Sequence, residues 1–499
     1  MKYILGIDIG TTSLKAALFD ADLQAVGRAK VGYSTVYPAP GWAEQDPRQW
    51  WDAMKTALGS LYSAPGAPEP ADLAIIAIDA MTPTMVPVDA QGRALRNALI
   101  WMDRRAEVES QAIDEALGDD LFRIAGNVSD PSNFAPKARW LKDREPEIYA
   151  RTARLLFANG YLVHRLTGVF SADASNCGMS LLCDTVESRW SPRLIDGSGL
   201  DRDRLPDIYE CTDVVGTVST AAARELGIRE GTRVIAGAMD NVAAVMGTGT
   251  FGNLELCLSA GTATNVNLCA DAAHFDPSFL VYRHLIPGMW IHAGGVDYGG
   301  AGYKWFAGLI HESDYAALDR RAADAVPGAR PLLFLPYMVG QRAPLWNSHT
   351  RGVLFGLDPS MNDGELARAF MEGNAFGVRK ILGLMTNLGV APESCRLTGG
   401  CADSRVYSQI FADVLEVPIE RIGEADTATL GMAMAGAYAE GLAPDIRTFK
   451  DRVSIRGTQR PDADLSAHYE RAFRLYARLY ESLIPSFEDL SALARSEES

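Results

Sequence analysis

GIDIGTTSLKAALFD, from Gly6 to Asp20, consists of two apolar strand runs joined by a Gly/Thr turn, and LSAGTATNVNL, from Leu258 to Leu268, repeats the design in the second half of the chain. A Gly/Thr turn between strands exposes backbone N–H groups and hydroxyls with no bulky side chain in the way, which suits a polyphosphate. A third segment, LTGGCADSRVYSQIFADVL (Leu397 to Leu415), runs from a strand through Gly399 and Gly400 into a helix. One phosphate turn in each half predicts a duplicated fold that closes on a nucleotide.

Length and charge agree with that outline. At 499 residues the chain exceeds the roughly 250 to 300 residues that a single core supports, so two large domains are expected. The boundary falls in the glycine-rich MGTGTFGN (Met246 to Asn253), read as a linker, giving domains 1–247 and 248–499. A net charge of −16 opposes a general nucleic-acid binder, which needs positive surface to displace counterions. The seven cysteines are dispersed without a CxxC pair, so reduced core thiols are expected. No signal-peptide h-region follows Lys2, and no stretch offers the roughly 20 apolar residues of a membrane span. A soluble cytoplasmic protein is the expectation.

Periodicity gives an α/β pattern. YILGIDIG, LKAALFD and AVGRAKVGYST read as a three-strand meander, and Asp46-Pro47 starts a helix with Trp50, Trp51, Met54, Ala57 and Leu58 along one face. LAIIAIDA is short and apolar, as a buried strand is. In the second half NLELCLSAG and TNVNLCA pair as strands, ELARAFMEGNAFGVRKILGLMTNLG is a long amphipathic helix, and TLGMAMAGAYAEG is a small-residue helix fit for close packing. Residues after about Ala443 read as a peripheral helical tail.

Several motifs carry chemistry. Gly247, Gly249 and Gly252 match GxGxxG, but a dinucleotide fingerprint needs a strand before it and a helix after it, and here the order is reversed. No GxxxxGK[ST] is present. Around the first turn, Thr11, Thr12 and Ser13 offer hydroxyls and Lys15 sits on the next strand. Asp8 beside phosphates is tolerable when a cation lies between, which makes it a Mg²⁺ residue acting through water. Asp240, alone among small residues after an apolar strand, is either a helix N-cap or a catalytic base. WMDRRA (Trp101 to Ala106) offers an aromatic plate, a carboxylate and guanidinium groups, either for sugar hydroxyls, with Asp103 as acceptor, or as a helix N-terminus with a surface salt bridge.

In order along the chain, GIDIGTTSLKA, GWAEQDPRQWW, LIWMDRRA, APKARWL, GAMDNVA, LSAGTAT, FLPYMVGQRAPLWN, RGVLFGL and LTGGCADSRVYSQIFADVL resemble the FGGY family of carbohydrate kinases, in its xylulokinase-like branch. The resemblance runs from Tyr3 to about Ala443. It implies the two-domain actin, hexokinase and heat-shock chaperone ATPase fold, a duplicated ribonuclease H-like α/β architecture with a central interdomain cleft. It also implies ATP-dependent phosphorylation of a terminal hydroxyl on a small-molecule sugar or polyol, with ATP and Mg²⁺ as cofactors. Asp240 would then be the general base, with Asp8 and Asp240 the carboxylates at the metal. Thr11, Thr12, Ser13 and Lys15 would hold phosphates from one side and Gly261 and Thr262 from the other, with Gly399, Gly400, Ala402 and Ser404 at the adenosine. Met81, Thr82, Asp103, Arg104 and Asn241 would surround the acceptor. A homodimer is compatible with the resemblance; nucleic-acid and membrane partners are not expected.

The sequence departs from the family pattern on the acceptor side. Where xylulokinases carry Met-His-Gly, this chain reads AMTPTMVPVD, with Thr82 and Pro83 after Met81; GERTP becomes Gly340, Gln341, Arg342, Ala343, Pro344; and Phe134 stands where a small or hydroxyl residue is common. Losing an imidazole changes which hydroxyls can be paired. D-xylulose heads the expected acceptors, ahead of D-ribulose, L-ribulose, glycerol and a tetritol. A different class, an ATP-driven conformational switch that binds a protein, predicts hydrolysis without sugar and an appended partner-binding domain.

Overall fold

The computed structural model describes residues 2–327, 332–341, 343–386, 389, 392–424 and 426–496. Strands β1 (Tyr3–Ile9), β2 (Ser13–Phe19), β3 (Ala25–Gly32), β4 (Leu73–Ala80), β5 (Val214–Thr217), β6 (Arg233–Ile235) and β7 (Ala238–Met239) form one sheet, ordered β5-β6-β4-β1-β2-β3 with β7 on the end of β4. A second sheet holds β8 (Leu256–Ala260), β9 (Thr264–Ala270), β10 (Leu280–Arg283), β11 (Trp290–Val296), β12 (Cys395–Thr398), β13 (Ile419–Ile422) and β14 (Ile455–Gln459), ordered β10-β11-β9-β8-β12-β13-β14.

The two sheets repeat one plan. In the first, β3, β2 and β1 form an antiparallel meander, and β1 then pairs in parallel with β4, which pairs in parallel with β6. In the second, β11, β9 and β8 form the meander and β8, β12 and β13 the parallel run. The central strands β1 and β4 are buried on nearly every residue, as strands covered on both faces must be, whereas the edge strand β3 alternates.

Helices seal both faces. α1 (Pro47–Tyr62) starts where the Asp46 carboxylate accepts from the Arg48 N–H, and it buries Trp50, Trp51, Met54 and Leu58. The acceptor side of the site draws on α2 (Phe134–Arg144), α3 (Ala174–Ser180) and α4 (Asp240–Gly247). α5 (Asp363–Met385) opens with a full capping box between Asn362 and Glu365. It is followed by α6 (Arg405–Leu415), α7 (Thr427–Ala439) and α8 (Ala463–Ser496).

α7 is apolar on every side and buried over most of its length, because it is wedged between β1, β4 and α4. Its small residues make that fit. A Cβ on Gly6 would collide with the Thr429 carbonyl, and one on Gly431 with the Ala243 carbonyl. Backbone meets backbone where the two halves of the chain cross.

The glycine-rich Met246–Asn253, read as a linker, is packed inside the protein: Thr248 and Thr250 are fully buried, and the Thr248 carbonyl accepts from Arg396 Nη1. Two expectations need correction. The tail is not peripheral. β14 extends the second sheet, and α8 inserts Tyr469, Tyr476, Tyr480 and Phe487 into the second core, where the Tyr476 hydroxyl meets that of Tyr337 at 2.8 Å. Finally, Cys177 and Cys183 are bridged rather than free, because the left-handed Leu181 at the end of α3 folds the chain back and brings the two Cα atoms to 5.4 Å. The other five cysteines are buried and free. Among the described residues no helix is long and apolar enough to cross a membrane.

Candidate active site

One row of side chains crosses four strands of the first sheet. In register along it stand Lys15 on β2, Asp8 on β1, Asp79 on β4 and Ala238 on β7. Gly6, two residues before Asp8, packs on α7, so the row lies on the face that α7 covers, at the open carboxyl ends of β1 and β4. Lys15 Nζ donates to Asp8 Oδ2 at 2.7 Å and lies 3.8 Å from Asp426, the residue that caps α7. Burial works to neutralise Lys15, but Asp8 and Asp426 outweigh it and raise its pKa. Burial likewise raises Asp426, against the pull of Lys15.

The first turn sits above this row. Gly10 N–H donates to the Ser13 carbonyl, Thr11 and Thr12 face outward, and Ser13 is buried at the start of β2. The Thr11 hydroxyl accepts from the indole of Trp101, and its carbonyl accepts from Gln45. Trp101 also lines a cavity between the two halves, so one side chain joins the turn to that cavity.

The cavity, about 980 Å³ with the open water of its mouth included, is built from both halves. Asp240 stands in its wall. It occupies the first turn of α4 and not the cap, which is Met239, so the N-cap reading fails and its carboxylate faces the cavity. Burial, and then the charge of Asp8, push the Asp240 pKa up to about 7, against the Asn241 N–H that donates to it at 2.7 Å. The Asn241 amide donates to Asn267 Oδ1 at 2.8 Å and to the Tyr282 hydroxyl, tying α4 to the second sheet. Thr82, Asp130, Asn265, Asp297 and Trp346 are among the polar and aromatic residues of the lining, and Pro83 lies beside them.

A buried hub sets both the base and the acceptor loop. Asp173, 1% exposed, accepts from the Ser175 hydroxyl, from Asn176 Nδ2 at 2.7 Å and from Asn159 Nδ2 at 2.9 Å. Ser175 Oγ in turn accepts from the Met239 N–H, next to Asp240, while Asn176 Oδ1 accepts from the Thr82 hydroxyl. Burial raises the Asp173 pKa despite these donors. Lys137 on α2, wholly buried, clamps the same loop by donating to the Pro83 carbonyl at 3.0 Å and the Ile100 carbonyl at 2.6 Å. Its pKa is pulled down to about 7 by burial, against the carboxylates of Asp103 and Asp130.

Not every candidate reaches the cavity. Asp103 is fully buried, accepting from the Ala43 N–H and paired at 2.7 Å with Arg105, whose guanidinium lies 3.7 Å over Trp42. It is therefore neither a sugar ligand nor a surface ion pair in this structure; it fastens its loop to the segment around Glu44. Arg104 acts at one remove, as a bidentate partner of Asp130 with both contacts at 3.0 Å. Asp130 does line the cavity. Burial works against its charge, yet Ser132 and Arg104 hold its pKa down. Met81 is buried beneath, its N–H donating to the Ile9 carbonyl.

In the second half, Gly261 and Thr262 are exposed, and the Gly261 N–H closes the turn on Ala263. Gly399, with φ of +86°, lies against Ala260, so Gly399 and Gly400 stand beside that turn at the carboxyl ends of β8 and β12. Ala402 is buried, and Ser404 spends its hydroxyl capping α6 through the Tyr407 N–H. Arg342 lies outside the described residues.

The carboxylates suit a hydrated magnesium ion. Among the described residues no three His, Cys, Asp or Glu side chains converge to ligate a metal directly, and Mg²⁺ keeps several of its waters. The charge of Asp8 raises the Asp240 pKa, and two carboxylates that repel in this way would be eased by a nearby dication.

Asp79, Asp130 and Asp297 were not singled out from sequence. Asp297 carries the signal that exposed Asp240, an acid after an apolar strand among glycines; Asp79 is an acid one place from the end of the apolar LAIIAIDA. Asp130 lies in SDPSN between helices, with no comparable pattern.

Comparison with known proteins agrees with this geometry. Residues 3–247 match the N-terminal domain, and residues 242–440 the C-terminal domain, of the FGGY family of carbohydrate kinases. The xylulose kinase of Escherichia coli (strain K12) is 30% identical over 485 residues, covering 96% of this chain and 99% of its own. Crystal structures of a xylulose kinase and a gluconate kinase, both from Lactobacillus acidophilus, each superpose with a TM-score of 0.90 at 26% identity, covering 98% of this chain and 100% and 99% of theirs. The fold is that of the actin and hexokinase-like ATPases. The chain belongs to the FGGY family of carbohydrate kinases and is an ATP-dependent sugar kinase.

Proposed function

We propose that this kinase transfers the γ-phosphate of MgATP to a terminal hydroxyl of a ketopentose, with D-xylulose first among the acceptors. The two lobes, 1–247 and 248–499, contribute unequally: the sugar rests in the shared cavity with its reacting hydroxyl at Asp240, and the nucleotide spans the two Gly/Thr turns. The observation that carries this reading is the position of Asp240, in the cavity wall and electrostatically coupled to Asp8 below the first turn.

Phosphoryl transfer needs little covalent help from the protein, so positioning and charge neutralisation supply most of the rate. Asp240 orients the hydroxyl and takes its proton; a base with a pKa near 7 is ionised often enough to accept the proton and basic enough to pull on it. Thr11, Thr12 and Lys15 meet the β and γ phosphates, and Gly261 and Thr262 approach from the facing lobe. Gly399, Gly400 and the residues leading into α6 flank the adenosine. Asp8 and Asp240 would hold the magnesium ion, which would supply positive charge against that of the phosphates. Trp101, hydrogen-bonded to Thr11 and lining the cavity, holds the sugar and phosphate sides in register.

The acceptor's chemistry follows from the lining. Among the described residues the charged side chains in the cavity wall are Asp130, Asp240 and Asp297, all acidic. Carboxylates accept from sugar hydroxyls, and Trp101 and Trp346 offer flat apolar faces to C–H groups. An aldonate would bring its own negative charge to a wall whose charged side chains are all acidic, with Asp130 paired to a cation, Arg104, which favours an uncharged ketose over gluconate. The test is ADP release measured across D-xylulose, D-ribulose, L-ribulose, glycerol, a tetritol and D-gluconate, with Asp240→Asn as the control. D-xylulose should give the highest kcat/KM; a preference for gluconate would overturn the substrate reading, and turnover in the control matching wild type would overturn the mechanism.

A further inference from the structure

Asp297 stands in the cavity wall on the side of the second sheet, and the mechanism above gives it no particular role. It follows β11 directly; Gly295 lies two residues before it and Ala293 four, and all three line the cavity. Asn265, paired with Gly295 across the sheet, lines it as well. Two positions without long side chains leave room above the strand for a ligand. A carboxylate stands at the end of that floor.

One buried amide fixes its backbone. Gln341, 5% exposed, accepts from the Asp297 N–H at 3.2 Å through Oε1, while its Nε2 donates to the Gly295 carbonyl at 2.5 Å and to the Ala343 carbonyl at 3.3 Å. The Ala343 carbonyl also accepts from the Gly295 N–H. Gly295, Asp297 and Ala343 all face the cavity, so this one side chain sets three points of its wall from behind. An amide satisfies that set, because two carbonyls need donors and one N–H needs an acceptor. A carboxylate would turn an anionic oxygen toward the carbonyls and place a second negative charge near Asp297. Glutamine in place of the glutamate of GERTP fits this geometry.

We propose that Asp297 determines acceptor specificity by accepting a hydrogen bond from a secondary hydroxyl of the ketopentose, and that Gln341 is its positioning residue. The inference rests on the ketopentose reading of the cavity and deepens it: Asp240 takes the reacting hydroxyl from one lobe, and Asp297 reads the stereochemistry of another from the facing lobe. A secondary hydroxyl points to one side of the carbon chain. A fixed carboxylate therefore bonds one epimer and loses that donor with the other.

The test is steady-state kinetics of the full chain with D-xylulose and its epimers D-ribulose and L-ribulose. On the preferred ketopentose, Asp297→Ala should raise KM about tenfold or more and reduce, by about tenfold, the kcat/KM preference over at least one of the other two. Asp297→Asn, nearly isosteric and still an acceptor through one oxygen, should fall between it and wild type. KM for ATP should stay within twofold in both variants, which reports an intact fold. Gln341→Glu should also raise the sugar KM, and adding it to Asp297→Ala should cost less than a further twofold, since it acts through that carboxylate. A sugar KM within threefold of wild type in Asp297→Ala, or preferences unchanged within threefold, would overturn the specificity role; full multiplication of the two losses in the double variant would overturn the positioning role. A wild type that phosphorylates none of the three ketopentoses would overturn the ketopentose reading itself, and this proposal with it.

Discussion

The two sheets are the same device with different side chains in one row. The first turn, Asp8-Ile9-Gly10-Thr11, has as its counterpart Ser259-Ala260-Gly261-Thr262. Across the strands, Lys15, Asp8 and Asp79 in the first sheet correspond to Asn265, Ser259 and Thr398 in the second. The backbone thus provides a donor-rich turn twice, but only one copy has a charged floor. Backbone N–H groups alone can cradle phosphate in either half; a cation and a base need the carboxylates. The connections leaving the parallel strands differ as well. After β4 the loop carries Thr82 and Pro83 into the cavity, whereas after β12 the chain turns tightly, Ala402 N–H to Gly399 O at 2.9 Å, into α6. Duplication supplied the frame, and this row divides the labour.

The largest effect should come from removing the base that only the first half has. Asp240→Asn is expected to lower kcat by roughly 10² to 10⁴, the usual contribution of a positioned base, while ADP affinity by calorimetry stays unchanged. Turnover near the wild-type rate would show that the two halves are not divided in this way.

Next in size is the hub that holds the base and the acceptor loop together. Asp173→Ala would leave Asn159, Ser175 and Asn176 without their common acceptor and loosen both Met239 and Thr82. Misplacement of about 1 Å costs on the order of a hundredfold, so kcat/KM should fall by about that factor with ATP affinity retained. Asp173→Asn, which keeps one acceptor, should recover part of the loss. Equal damage in both variants would mark the hub as mere packing.

Much of this division was legible in the sequence. Gly10 to Thr12 and Gly261 to Thr262 announced themselves because a turn that must bare its backbone leaves a local composition, and Asp240 because small neighbours isolated it. Partners distant along the chain were not legible. Asp103 looked available, but its acceptor capacity is taken by Ala43 and Arg105 in a buried cluster assembled by folding. Asp79 looked like one polar residue in a core strand, and its meaning comes from the register with Asp8. The tail aromatics Tyr469 and Tyr476 read as surface helix because the core they fill belongs to residues about a hundred positions earlier. Cys177 and Cys183 escaped notice because the bend at Leu181 that brings them together has no glycine to mark it.

Lys137 offers a pH handle on the loop that has no counterpart after β12. Its pKa is about 7 in the folded protein and near 10.5 when exposed. Between those values the unfolded chain binds the proton and the folded one does not, so stability contributed at this site rises with pH. The burial penalty is complete below pH 7 and fades toward 10.5. Against Lys137→Met, wild type should gain up to about 1.4 kcal/mol per pH unit in that window, read from urea midpoints at pH 6.5, 8 and 9.5. Parallel midpoints for the two proteins would contradict it.

The smallest expected effect is the one that most sharpens the comparison. Ser259→Asp writes the carboxylate of the first sheet into the second, at the residue paired with Asn265 and Thr398. There it would face phosphate with no lysine in register, since Asn265 stands where Lys15 does in the first half. A carboxylate near phosphate without a cation between them is repulsive, and a penalty of about 1 kcal/mol at cleft dielectric corresponds to a roughly fivefold rise in KM for ATP. The sugar KM should stay within about twofold, because the acceptor loop and Asp240 are untouched. Adding Asn265→Lys should restore ATP affinity if the pairing of charge across the row is what separates the halves; if the double variant binds ATP no better than Ser259→Asp, the row is not the unit of design and each residue acts alone.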